Sequence, residues 1–401
     1  MDTDMRHGPD VALRWRSLIA ACSAHAIHDG LTDVIYVLLP IWQSQFAISY
    51  ALVGLLRSAY SGSMAGFQLL ASRAAKRWGR TRLLVGGAIL SGLAYLLAGQ
   101  ATGIVMLLLA LVLGGLGASA QHPLASSIVV DSHEAGGGVK EALSHYNFAG
   151  DIGKTLIPGL AGLLLAVVSW RTSVRLVGIL GLAMAALLWW LLPARMASVS
   201  KPEATEAATG RGSKAGLRAL NATGLLDSAV RMGFLTFLPF VLKNKGTGSA
   251  GIGLVFSLLF IGGAFGKLFC GYLGARIGMM KTVWLTESAT SLFILLAVWL
   301  PLTPLMIMLP FLGVVLNGTS SVLYGTVPEL AGTGQREHAF AVFYTGTIGG
   351  GALSPIIFGR LSDIVGIGWA QVTLALLLLL TLPLSWYVQN GLSVEPSRQH
   401  G

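Results

Sequence analysis

The chain has 401 residues, 54% of them hydrophobic and only 11% charged, with a mean hydropathy of +0.71. A soluble domain carries about 25% charged residues, so the composition excludes an ordinary soluble protein and indicates a polytopic membrane protein. The net charge of +10 would suggest nucleic acid in a soluble chain; here the positions of the charges account for it.

Twelve apolar segments follow one another, at roughly 17–43, 51–72, 83–100, 104–130, 140–168, 172–192, 217–242, 250–273, 281–300, 303–327, 339–361 and 366–389. A membrane-crossing helix takes about 20 residues at 1.5 Å each, so each segment is a candidate span. Most connections are short. The stretch 193–216 is the exception: it is polar, charged and rich in Ala, Ser and Gly. It predicts a cytoplasmic linker between an N-terminal six-helix bundle, 17–192, and a C-terminal one, 217–390. Tails are expected at 1–16 and 391–401. The 52 glycines suit close helix packing in a bilayer. Cys22 and Cys270 both fall inside spans, so no disulfide framework is expected. The N-terminus has no short apolar core followed by a small-residue cleavage site, and the first span is expected to insert directly.

Lys and Arg set the orientation. Of these 27 residues, Arg57, Lys154, Arg231 and Lys267 fall inside spans, and Arg171, Arg175, Lys243, Lys245 and Arg360 lie on the side opposite the N-terminus. All the others share the N-terminal side. The positive-inside rule then places both termini in the cytoplasm.

The first span carries His25, His28, Asp29 and Asp33. A charge at the bilayer centre costs at least about 2.5–3.5 kcal/mol, so these groups cannot face lipid. His25, Asp29 and Asp33 are spaced i, i+4, i+8 and share one helix face, with His28 beside them. That face must look into protein or water, as in a helix that lines a transport cavity.

The two halves repeat. Asp29 precedes Pro40 in span 1, and Asp227 precedes Pro239 in span 7. Arg77-Trp78-Gly79 follows span 2, and Arg276-Ile277-Gly278 follows span 8. Gly153 lies five before Pro158, and Gly350 five before Pro355. The landmarks recur at offsets of 197 to 199 residues. Parallel repeats about an axis along the membrane normal are a known transporter plan.

Twelve spans, a central linker and a basic Arg-x-Gly loop after spans 2 and 8 resemble the major facilitator superfamily over essentially the whole chain. The family's loop reads Gly-x-x-x-Asp-Arg-x-Gly-Arg-(Arg/Lys). Here Ser72 and Lys76 replace its Gly and Asp in the first copy, and Ala275 replaces its Asp in the second. The resemblance implies gating loops at Arg77, Gly79, Arg80, Arg276 and Gly278. Within the superfamily, His25-Ala-Ile-His28-Asp29 and Gln121-His122-Pro123 resemble the fosmidomycin-resistance exporters, with His28 for an Asn and Leu124 for an acid. That likeness implies proton-driven export of small drugs or metabolites.

The resemblance also implies that spans 1, 4, 7 and 10 line the cavity and that 2, 5, 8 and 11 flank it. The ionisable residues sort accordingly: Arg57 in span 2, His122 in span 4, His145, Asp151 and Lys154 in span 5, Asp227 and Arg231 in span 7, and Lys267 in span 8. Glu287, in span 9, breaks the pattern; it is expected near the cytoplasmic end, beside a loop cation.

Asp29 and Asp33, with His28, are the expected proton carriers, since a buried acid can exchange its proton as nearby charge changes. A bland alternative pairs Asp29 or Asp33 with Arg57. Asp151–Lys154 and Asp227–Arg231 are helically spaced and can each form an intrahelical pair. Alternatively, these groups bind substrate together with His25, Arg57 and His122, Arg being suited to a carboxylate or phosphonate. Tyr36, Tyr146 and Tyr344 are the preferred aromatic candidates, because their hydroxyls need partners. The competing reading is a transporter of a metal ion or chelate held by His25, His28, Asp29 and His122, with Asp33 beside them.

No nucleophile–base set stands out, so an enzyme is not expected, and a receptor is less favoured than a transporter. The expected partners are a small-molecule substrate, protons and the lipid bilayer, with no nucleic acid. The chain is read as a monomer of the inner (plasma) membrane, without a cofactor.

Overall fold

The structure, a computed structural model, describes residues 11–134, 137–193, 213–331 and 336–392. Among them every regular element is an α-helix. In chain order these are α1 Val11–Phe46, α2 Tyr50–Trp78, α3 Arg80–Ala98, α4 Ile104–Ala118, α5 Gln121–Glu134, α6 Val139–Leu164 and α7 Trp170–Leu191. The second half supplies α8 Lys214–Asn244, α9 Ser249–Ile277, α10 Met279–Trp299, α11 Leu302–Leu330, α12 Arg336–Val365, α13 Ile367–Leu378 and α14 Thr381–Leu392.

A short turn divides α4 from α5, and another divides α13 from α14, so each pair forms one span. The chain is therefore an all-α membrane protein of twelve transmembrane helices, in two pseudo-symmetric six-helix bundles. Among the described residues, nine spans are long and apolar enough to cross a membrane by composition alone. The other three are α1, α2 and α6. These carry His25, Asp29, Asp33, Arg57, Asp151 and Lys154, and their polar faces lower the mean hydropathy. On α6 the exposed Ile152, Leu156, Leu160 and Leu163 form an apolar stripe opposite the buried Gly150 and Gly153.

The internal repeat is visible in the backbone. Gly79 opens α3 with φ 88 and ψ 144, and Gly278 opens α10 with φ 89 and ψ 151. Both lie in the left-handed region that glycine tolerates, and each reverses the chain between consecutive spans. Hydroxyls within the helices bond to carbonyls one turn back, as Thr223 does to Ala219 at 2.9 Å and Thr326 to Val322 at 3.0 Å. Such bonds satisfy groups that lipid cannot.

By contacts the chain forms two compact units: Met1–Leu38 with Ala59–Pro202, and Leu39–Ser58 with Glu203–Gly401. Most of the expected linker, 194–212, lies outside the described residues, as do the expected tails at 1–10 and 393–401. In the first unit the core gathers Ala20, Ala24, Ile128, Val129, Tyr146 and Leu188. In the second it gathers Leu220, Cys270, Val283, Leu323, Val327 and Phe343. The segment 39–58 groups with the second unit for an identifiable reason. The carboxylate of Asp363, on α12, accepts hydrogen bonds from the backbone N–H groups of Tyr50 at 2.8 Å and Ala51 at 3.0 Å. Gly54 and Gly359 also leave room for the backbones of Pro355 and Tyr50. Cys22 and Cys270 are free thiols.

Candidate functional site

The first unit builds its site around Asp29. Glycines bring α6 against α1: a side chain at Gly153 would meet the backbone of Ala26, and one at Gly30 would meet Ile157. A Cβ at Gly150 would stand 2.8 Å from both Asp29 Oδ2 and His25 Nε2. Gly150 thus makes room for the His25–Asp29 pair. The break after α4 starts α5 at Gln121 and places His122 in its first turn, where Pro123 is tolerated.

Four basic side chains converge on one carboxylate. Asp29 Oδ2 lies 3.2 Å from His25 Nε2 and 3.2 Å from Lys154 Nζ, while Oδ1 lies 3.6 Å from His122 Nε2 and 3.8 Å from His28 Nε2. Asp29 is 5% exposed and His25 6%. The imidazoles of His25 and His28 stand edge-on to that of His122, at 5.1 and 4.8 Å between centroids. Tyr146 stacks on His25 at 4.1 Å, and its buried hydroxyl has no partner among the described residues. Asp33 and Asp151 also act on Lys154. An internal void of about 30 Å³ adjoins the cluster, lined by His28, Tyr60, Ser91 and Gln121 among others.

The hydrogen bonds of His25 constrain where protons sit. Its Nδ1 is 2.8 Å from the carbonyl oxygen of Tyr146. A carbonyl only accepts, so Nδ1–H donates and a neutral ring has a bare lone pair at Nε2. That lone pair would face a carboxylate oxygen. The 3.2 Å approach of Nε2 to Asp29 is attractive only if a proton lies between them, on the imidazole or on the carboxyl. A metal ion could fill the same role, and His25, Asp29 and His122 offer ligand atoms within 4.8 Å of one another. The ammonium of Lys154 already occupies one side of that carboxylate.

Two of the alternative pairings, Lys154 with Asp151 and Arg57 with Asp29, differ from the structure. Lys154 reaches across to Asp29 on α1 rather than closing an intrahelical pair with Asp151. Asp29 takes Lys154 and His25 as its partners, not Arg57. Arg57 is buried on α2 within the second unit, and Tyr36 is buried in the core of α1.

The second unit holds a separate constellation. Arg231 donates to Asp227 Oδ2 at 3.1 Å, one turn along α8, as their spacing predicts. Both border a cavity of about 430 Å³, with Ser228, Ser320, Tyr324, Phe343 and Tyr344 among its walls. Tyr324 stands edge-on to Tyr344 at 4.7 Å. Sequence reasoning missed Ser320 and Ser321, since isolated serines in an apolar span carry no signal. Glu287 departs from its expected place: it is 1% exposed on α10, and the charges acting on it are Asp227 and Arg231 rather than a loop cation.

At the loops, Arg77 is exposed and Arg276 lies over the ring of Tyr272 at 5.1 Å. Arg80 pairs with Asp131, a partner that the sequence did not single out.

Comparisons with known proteins agree with this architecture. The sequence profile of the Major Facilitator Superfamily matches residues 21–226 and 220–400. The cephamycin export protein CmcT of Amycolatopsis lactamdurans is 30% identical over 163 residues, 41% of this chain and 33% of that protein. The match thus spans about a third of the curated relative's length. Among solved structures, a bacterial homolog of the human lysosomal transporter Spinster superposes with a TM-score of 0.78 at 16% identity, over 96% of this chain and 98% of the other. A point mutant of the nucleoside transporter NupG gives 0.76 at 14% identity, over 94% and 99%. These structural likenesses concern the fold. With twelve spans in two repeated bundles and a profile match along nearly its whole length, the chain belongs to the Major Facilitator Superfamily of membrane transporters.

Proposed function

We propose that this protein is a proton-coupled exporter of a small polar drug or metabolite, working by alternating access. The observation that carries the reading is the His25–Asp29 contact, which a proton shared between the imidazole and the carboxylate inside a membrane helix accounts for. Such a proton is held by groups whose balance shifts when Lys154, His28 or His122 moves. Asp33 is the second carrier in this reading. The 30% identity to part of a cephamycin exporter supports export, and the resemblance to fosmidomycin-resistance exporters points the same way.

The proposed substrate-binding groups are Lys154, Asp151 and His122 of the first unit, and Asp227, Arg231 and Tyr344 of the second. Mixed charge of this kind favours a polar or zwitterionic molecule. His25, Tyr36, Arg57 and Tyr146 complete the proposed binding set. The halves 17–192 and 217–390 rock during the transport cycle, and the loops around Arg77, Gly79, Arg80, Arg276 and Gly278 gate it. The chain acts as a monomer in the inner (plasma) membrane, with both termini in the cytoplasm.

The second reading, transport of a metal ion or chelate, is favoured only by the grouping of His25, Asp29 and His122. One experiment separates the two. Proteoliposomes with an internal pH dye receive a phosphonate drug or a cephamycin in one series and divalent metals in another. A drug-evoked proton signal that disappears in Asp29→Asn supports the exporter. A metal-evoked signal favours the ion site, and an unchanged drug response in Asp29→Asn removes Asp29 from the mechanism.

A further inference from the structure

The second unit contains a buried acid that the function above does not use. Glu287 projects from α10 and is 1% exposed, and its Oε1 has no hydrogen-bond partner among the described residues. The charges acting on it come from α8, namely Asp227 and Arg231. Arg231 is already engaged with Asp227 at 3.1 Å.

Among the described residues, the groups acting on Glu287 include no second cation from the neighbouring helices. α10 also packs against α9, α11, α13 and α14. α9 carries Lys267 and Arg276, α11 carries Tyr324 and Glu329, α14 carries Tyr387, and α13 has no charged residue. None of these is among the groups that act on Glu287. Next to Glu287, Thr286 is engaged with Thr319 at 2.8 Å and with the carbonyl of Thr282 at 2.9 Å. Two buried carboxyl groups thus lie in the field of one guanidinium inside an apolar bundle. One guanidinium neutralises one carboxylate, and an unpaired buried charge is strongly disfavoured.

We propose that Glu287 is a proton-binding site, a neutral carboxylic acid while Arg231 remains on Asp227. The Asp227–Arg231 pair borders the 430 Å³ cavity, so whatever enters that cavity can redirect Arg231. If Arg231 turns from Asp227 to Glu287, the Glu287 O–H bond breaks, a guanidinium–carboxylate pair forms at Glu287, and the released proton passes to the Asp227 carboxylate that Arg231 has left. The site lies in a different unit from Asp29 and does not depend on the export reading.

Infrared spectra of the full chain in lipid bilayers, recorded from neutral to alkaline pH, test this without any substrate. The carbonyl stretch of a protonated carboxylic acid should persist at neutral pH in the wild type. The component of that band due to Glu287 should be lost in Glu287→Gln and retained in Asp29→Asn. Asp227→Asn gives an independent readout: it frees Arg231, so the Glu287 band should also vanish at neutral pH. Absence of the band from the wild type overturns the proposal even if a variant fails to fold. A band unchanged in Glu287→Gln, or one that survives in Asp227→Asn, overturns it as well.

Discussion

The guanidinium of Arg80, at the start of α3, is paired with the carboxylate of Asp131 on α5 and donates a further hydrogen bond to Ser127 at 3.2 Å. Both members of the ion pair are largely buried, with 14% and 12% of their side chains exposed. In the loop pattern that this chain resembles, an acid precedes the arginine within the loop itself. Lys76 stands in that place here, and the negative charge is supplied from another helix.

This pairing has a measurable consequence. Arg80→Ala and Asp131→Ala should each lower the melting temperature of the purified protein. The double variant should melt no lower than the worse single one, because neighbouring charges couple by about 0.5–3 kcal/mol. Strictly additive losses in a thermal unfolding series would show that the two residues act independently.

Gly153 should not tolerate even a methyl group. A Cβ there meets the backbone of Ala26, which cannot move aside as a flexible side chain would. Gly153→Ala should therefore cost about 1–3 kcal/mol through overpacking. Gly62, with nothing within 4 Å of its added Cβ, is the control. Thermal melting of the two variants side by side distinguishes them; equal stability would mean that α6 does not rest on α1 through Gly153.

Lys154 should decide whether the first unit accepts a metal. In the wild type its ammonium lies 3.2 Å from Asp29 and competes with a cation. Lys154→Gln removes that competitor and leaves the ligand atoms of His25, Asp29 and His122 within 4.8 Å of one another. Zinc should then stabilise the variant but not the wild type, by about 2.7 kcal/mol at one hundred times the dissociation constant. Melting curves with and without zinc check this, and protection of the wild type would favour the metal reading.

His25→Gln should uncouple the protein. It replaces a ring that links the Tyr146 carbonyl to Asp29 through a proton. A charge-assisted hydrogen bond is worth about 1.5–3 kcal/mol, so proton-driven flux should fall by about tenfold or more. Exchange of substrate across a membrane without a pH gradient should persist with a raised KM, since His25 also belongs to the proposed binding set. Loss of both activities together would indicate a packing role for His25 instead.

Much of the architecture was legible in the sequence because hydropathy, chain reversals and charge placement are local properties. Twelve spans could be counted, and the recurrence of Arg-x-Gly pointed to the repeat seen in the backbone at Gly79 and Gly278. The cost of burying charge also required the face of α1 with His25, Asp29 and Asp33 to turn inward. The Asp227–Arg231 pair was readable for the same reason, since both residues lie one turn apart on one helix.

Partner choice between helices was not legible in this way. Lys154 had Asp151 at helical spacing, yet it reaches Asp29, and Arg80 reaches Asp131. Glu287 was expected beside a loop cation and lies instead in the field of an α8 ion pair. Helical spacing specifies which side chains share a face of one helix. It does not specify how that helix is rotated against its neighbours. Close approaches such as Gly153 on Ala26 set that rotation, and they arise only when the helices pack. The sequence by itself therefore determined the spans, their repeat and the inward polar face of α1. Tertiary packing alone decided which buried acid meets which base.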